Sequence, residues 1–234
     1  MLPFSGLDYV ALAIYGLAWL IYSFGIEQGW AGGRTLNAMM DRHRRGWMEQ
    51  AILRDNRIVD ASIMASLQNG SAFFASTSLF AIGGALTLFK STDDAVALFA
   101  EVPGLATTRL AWELKVAGLT VVFVYAFFKF AWAYRLFNYT AILVGAVPVL
   151  AKGEVPDDAM RRAAQRAGSM SAVAGLHFNR GQRAFFFALA YLGWFISPIL
   201  FMGATASVLV VMWQRQFASD ARRGLLLVDD AADG

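Results

Sequence analysis

Four long apolar stretches dominate this chain: Leu7 to Phe24, Ala72 to Phe89, Val116 to Ala133 and Ala184 to Met212. About 20 helical residues, each rising about 1.5 Å, cover the ~30 Å hydrocarbon core of a bilayer, so each run is long enough to cross it. With no water in the bilayer, spans must be helices or a closed barrel. Barrel strands alternate apolar and polar residues, and the run from Val121 to Phe128 does not alternate. The fold class expected is therefore an all-α membrane protein. Its four transmembrane helices are expected at about 7–28, 62–89, 112–135 and 184–213, in a single domain over 1–216, with a polar tail over 217–234. Only 16% of the residues are charged, against ~25% in soluble domains.

Charge orients the spans. The first loop holds Arg34, Arg42, Arg44, Arg45, Arg54 and Arg57. The third holds Arg135, Lys152, Arg161, Arg162, Arg166, Arg180 and Arg183. The second has Lys90 and Arg109 beside Asp93, Asp94 and Glu101, and the tail mixes Arg215, Arg222 and Arg223 with Asp220, Asp229, Asp230 and Asp233. By the positive-inside rule the first and third loops are cytoplasmic. With four spans, both termini then face outward. A bacterial inner membrane fits this pattern. The first apolar run lacks a basic leader and a small-residue cleavage site, and is read as a retained span.

Several segments carry finer signals. Leu36, Met40, His43, Trp47 and Ala51 recur at helical spacing, with Arg42, Arg44 and Arg45 on other faces. This is an amphipathic helix, read as lying on anionic lipid, with docking of a protein or a phosphorylated ligand as the alternative. Trp47 and the three arginines are its candidate contacts. Trp30 and Glu27 are placed at the inner end of the first span. Ser62, Ser66, Asn69, Ser76, Gly83 and Thr87 lie near one stripe of the second span, with Thr77 beside it. Such a stripe packs helices closely or lines a water-filled path. Lys129 falls within the third span, where a charge costs ~2.5–3.5 kcal/mol at mid-bilayer. It either snorkels toward the depth of Arg135 or forms a site for an anion or for a carboxylate such as Glu27. Residues 136–150 stay apolar and either prolong the third helix or turn back. A further crossing there would put Arg161 and its neighbours outside and is not adopted. Pro156, Asp157 and Asp158 signal a helix start. Ser197-Pro198 predicts a kink in the last span.

Catalytic chemistry is not visible. With no cysteine, disulfides and thiolate sites are excluded. The only histidines, His43 and His177, sit among loop arginines rather than where a haem would be ligated. None of the familiar nucleotide-binding, metalloprotease or hydrolase motifs is present. Asp41, Glu49, Asp55 and Asp60, interleaved with arginines, read as salt-bridged or solvated loop charges. No cofactor, metal or nucleic acid is expected, because the basic residues flank spans where orientation and anionic lipid explain them.

Two stretches carry a resemblance. One runs from Asp55-Asn56-Arg57-Ile58-Val59-Asp60-Ala61 to Phe73-Phe74-Ala75-Ser76-Thr77. The other combines Arg135-Leu136-Phe137-Asn138-Tyr139, Phe178-Asn179-Arg180-Gly181-Gln182-Arg183-Ala184-Phe185 and Trp194-Phe195 before Pro198. Together they resemble an uncharacterised four-helix membrane family of bacteria and plants, the domain of unknown function 599 family. The resemblance implies the architecture and brings no activity or ligand with it. The functional expectation is a non-enzymatic, self-associating, channel- or transporter-like protein. A scaffold or accessory subunit bound to a partner membrane protein is the alternative, and a lipid-active enzyme comes third. Membrane lipids and a second copy are the expected partners.

Overall fold

The structure, a computed structural model, describes residues 3–26, 33, 35–102, 107–151 and 153–229. Glu27, Trp30, Arg34, Lys152, Asp230 and Asp233, all used in the sequence reading, lie outside the described residues. Eight α-helices are present among them: α1 Gly6–Leu20, α2 Leu36–Gln50, α3 Ile58–Lys90, α4 Thr92–Ala100, α5 Arg109–Ala146, α6 Asp158–Leu192, α7 Pro198–Phe217 and α8 Asp220–Asp229. No strand occurs among the described residues. Four helices are long and apolar enough to cross a membrane, over Gly6–Gly25, Ile58–Lys90, Arg109–Ala146 and Pro198–Leu226. The chain is an all-α membrane protein.

The helix ends follow from local chemistry. Ser5 caps α1, its hydroxyl accepting from Asp8 N while the Asp8 carboxylate accepts from Ser5 N, a reciprocal capping box. A π-helical turn, Ile21–Ile26, prolongs α1. Asp157 starts α6 as expected, its carboxylate accepting from Met160 N at 2.7 Å. The expected amphipathic helix of the first loop is α2. The apolar residues after Arg135 prolong α5 as far as Ala146.

The last expected span differs. Residues 184–213 form two helices rather than one kinked helix. α6 ends at Leu192, a 3-10 turn covers Gly193–Phe195, and α7 begins at Pro198. Ser197 is extended, and its hydroxyl caps the new helix by accepting from Leu200 N at 3.1 Å. Proline is at home in a first turn, where its missing N–H has no partner to lose. Ser197-Pro198 thus starts a helix instead of bending one.

The chain divides into two compact units. The first is Met1–Leu36, Ser78–Tyr125 and Arg183–Gly234. Its core joins Ala11, Tyr15, Ala18 and Tyr22 of α1 to Leu119, Phe187, Tyr191, Trp194 and Phe201. Ring pairs give the helix directions. Phe4 packs on Trp194 at 5.0 Å, Trp19 on Phe187 at 4.9 Å, and Arg183 lies over Tyr22 at 5.4 Å, so α1 runs antiparallel to the end of α6. Trp194 stacks on Phe201 at 5.5 Å while Arg215 covers Phe186 at 5.2 Å, so α7 doubles back along α6. α1 and α7 are therefore parallel. Large apolar side chains such as Leu17, Phe24, Phe80, Val121 and Ile199 point outward, as lipid-facing residues do.

The second unit is Asn37–Thr77 and Ala126–Gln182. Met48, Ile52, Val144, Val147, Ala164 and Ala167 form one core cluster, and Met64, Ala133, Leu136, Phe137 and Ala174 another. α2 lies tight on α6: a Cβ at Gly168 would stand 3.0 Å from Arg45 Cα. A Cβ at Gly181 would stand 2.7 Å from the Phe130 ring, which Phe74 and Phe178 hold from other sides. Because that ring cannot yield, Gly181→Ala should destabilise by about 2 kcal/mol, the usual scale of overpacking. A thermal melt in detergent checks this, with Gly224→Ala, where the added methyl meets open space, expected to melt like the wild type.

Candidate functional site: a cationic cavity on α5 and α6

The sequence-derived candidates separate once placed. On α3 the buried stripe is Asp60, Met64, Ser71, Ser78 and Ala85. Ser66, Asn69 and Ser76 lie on the opposite side, exposed, and Thr77 is half-buried with its hydroxyl donating to Phe73 O at 2.9 Å. The predicted stripe does not pack inside this chain. It is an outward face, shared with Phe73 and Phe80, which are 65% and 81% exposed.

On α2, Arg42 and Arg45 are exposed, whereas Arg44 and Trp47 are built into the second unit. Arg44 pairs with Asp41 at 2.6 Å and lies against Gly175. Desolvation raises the Asp41 carboxyl above its usual range, against the pull of Arg44 and Arg45. The Trp47 indole N–H donates to Asp60 Oδ1 at 2.6 Å, and Arg54 reaches the same oxygen at 2.7 Å. Asp60 is 1% exposed. Of the two readings for the loop carboxylates, Asp60 takes the salt-bridged one and is not solvated. Arg57 donates to Val144 O, Ala51 O and Pro148 O, so it closes the C-terminal end of α5, where a cation is favoured. The Asp55–Asp60 motif is thus a structural clamp.

Lys115 is only 9% exposed. Its ammonium donates to Trp194 O at 2.7 Å, at the end of the 3-10 turn after α6, and lies 5.1 Å from the centre of the Trp194 ring. The Trp194 indole donates to Asp8 Oδ1 at 2.7 Å. These contacts fasten the α6 end to α1 and α5.

Lys129 is the candidate that the fold places in a cavity, of about 470 Å³, lined by Phe128, Lys129, Ala131, Trp132, Arg135 and His177. On α5, Phe128, Trp132 and Arg135 share one face by their i, i+4, i+7 spacing, with Lys129 at its edge. α6 supplies His177, whose ring meets Trp132 edge-on at 6.5 Å. Arg135 donates through Nε to the Tyr139 hydroxyl at 2.7 Å and lies over that ring. Three of the described side chains that line the cavity are basic. The sequence signal for Lys129 and Arg135 was present in their spacing. His177 joins them only through the packing of α6 on α5, which no local pattern encodes. Among the described residues, no cluster of three His, Asp or Glu side chains could hold a metal.

Comparison with curated proteins and with solved structures gives no match. A family model described as a protein of unknown function, DUF599, matches residues 10–221. With nearly the whole folded length matched, and with the Asp55–Asp60 clamp and the Trp194 anchor built from the residues that carried the resemblance, the chain belongs to the DUF599 family.

Proposed function

We propose that the protein is a non-enzymatic membrane protein that works as an assembly of copies and conducts a small polar solute between them. The observation that carries this reading is the outward face of α3. Ser76 lies 14 residues before Lys90 on one helix, about 21 Å along its axis. That depth is hydrocarbon when Lys90 marks an interface, and a hydroxyl turned toward lipid is satisfied best by another helix or by water. The middle of the first unit has no room for a path. Tyr15, Phe187, Tyr191, Trp194 and Phe201 fill the middle of the first unit with ring centres 5.0–5.7 Å apart. Any conduit therefore runs between copies, with closed rotational symmetry. The same reading takes a bacterial inner membrane as the location, with the N-terminal end of α1 outside and the C-terminal end of α7 inside. Liposomes holding the wild type should pass a small polar solute, and Asn69→Leu with Ser76→Leu should abolish the flux. Negligible wild-type flux, or flux unchanged in the double variant, refutes the proposal.

A further inference from the structure

We propose that Phe73 and Phe80 are the constrictions of the path between copies, and that they select its solute: a small, uncharged molecule bearing hydroxyl or amide groups, and not an ion. The inference rests on conduction along the outward face of α3 and adds what sets its cut-off.

Spacing is the first argument. Asn69, Phe73, Ser76 and Phe80 are all exposed and follow one another at intervals of four, three and four residues. Such intervals average about 3.5 residues, the repeat that keeps one face of a helix turned to the axis of a wound bundle. In a closed arrangement of copies, each of these residues repeats as a ring at its own level. Amide, phenyl, hydroxyl and phenyl levels then alternate, whereas a face given over to lipid is best served by apolar side chains throughout. Phe73 and Phe80 stand two turns apart, about 10.5 Å, with Ser76 between them. Phe80 lies ten residues before Lys90, about 15 Å, so its ring falls at the middle of the ~30 Å hydrocarbon core when Lys90 marks an interface.

Support is the second. The Phe73 ring meets Phe74 edge-on at 5.4 Å, Phe74 stacks on Phe130 at 5.1 Å, and Phe130 is fully buried. This filled aromatic core backs Phe73 and holds its ring in the outward position. The Thr77 hydroxyl turns back to Phe73 O at 2.9 Å, so the exposed hydroxyl at this level is that of Ser76. Chemistry is the third. A solute passing a phenyl ring sheds water there and regains a hydrogen bond at the Ser76 ring. A small neutral solute gives up one or two hydrogen bonds in that step. An ion gives up a hydration shell whose loss costs far more, so aromatic constrictions pass the first and hold back the second.

The test is flux into liposomes holding the full chain, with stopped-flow light scattering for glycerol and sucrose and a potential-sensitive dye for potassium. The wild type should pass glycerol and exclude sucrose and potassium. Phe80→Ala should pass glycerol about tenfold faster, the factor that corresponds to one unreplaced hydrogen bond fewer at the barrier, and should admit potassium. Phe80→Trp narrows the same level and should slow glycerol. Val121→Ala, at a residue 67% exposed on α5, should behave as the wild type. The Phe80 ring is 81% exposed, so its removal spares the packing of a single chain, and Phe80→Ala should melt with the wild type in detergent. Unchanged glycerol flux and potassium exclusion in Phe80→Ala overturn the constriction and leave conduction standing. Loss of all flux in Phe80→Ala also overturns it, because the ring would then join copies and not narrow a path. Potassium passing the wild type as fast as glycerol overturns the selection of an uncharged solute. Negligible wild-type flux of every solute overturns the constriction together with conduction.

Discussion

A fluorescent protein that matures only in the cytoplasm will be bright when fused to the C-terminus of this chain in a bacterial host. Four spans with both ends outside demand a dark fusion, so the two outcomes do not overlap. The expectation of brightness comes from helix directions within the first unit. Asp8 and Lys115 both bind Trp194, which places the starts of α1 and α5 at the level where α6 ends. Trp112 donates to Leu88 O at 3.4 Å, so α3 ends where α5 begins. α7 starts at that same level, beside Trp194, and ends near Phe186. Helices α1, α5 and α7 thus run one way, and α3 with the end of α6 runs the other. The start of α1 and the end of α7 therefore lie at opposite ends of the first unit. Within that unit the charges agree: Arg215 lies at the end of α7, away from Lys90 and Arg109 at the other end. An alkaline phosphatase fused at the same place should be inactive. A dark fluorescent fusion with active phosphatase would refute this reading of the helix directions.

How much of this the sequence disclosed depends on the physical level. Hydropathy sufficed for α1, α3 and α5, because burial in lipid demands long uninterrupted apolar helices whatever their partners. It failed at the end of α6. There Ala184 to Leu192 is apolar but follows Arg180 and Arg183, and it joins the next run through only a few residues, so the two merge into one apparent span. The Ser197-Pro198 pair is ambiguous in the same way. A capping serine before a first-turn proline and a kink inside a helix look identical until the stacking of Trp194 on Phe201 shows that the chain reverses. On α3 the helical period was legible, but which face is buried was not. Small polar residues line both sides, with Ser71 and Ser78 inward and Ser66, Asn69 and Ser76 outward, and their volumes and polarities are alike. Half of the cavity was legible through Lys129. His177 lies 48 positions away and comes beside it by packing alone.

Asp60→Ala should cost about 3 kcal/mol, the largest loss expected from any single substitution considered for this chain. The carboxylate is buried, and one oxygen accepts from both the Trp47 indole and the Arg54 guanidinium. Truncation removes the carboxylate that pairs with Arg54 and leaves the indole N–H without its acceptor. Breaking a buried ion pair in this manner costs ~3–5 kcal/mol. The figure is taken at the low end because the Arg54 side chain is 35% exposed and can turn toward water. It does not fall further, because Arg54 also donates to Trp47 O at 3.0 Å and ties the end of α2 to the start of α3, so its departure loosens the whole corner. Asp60→Asn keeps an oxygen in the same place and should lose about 1 kcal/mol, the worth of the charge assistance. Trp47→Phe removes one donor and keeps most of the packing, and should fall between the two. In detergent melts at ~2–4 °C per kcal/mol for a chain of this size, Asp60→Ala should unfold about 6–12 °C below the wild type. Equal melting temperatures for Asp60→Ala and Asp60→Asn would mean that Arg54 and Trp47 satisfy themselves without the carboxylate, and the clamp would not be what holds α2 against α3.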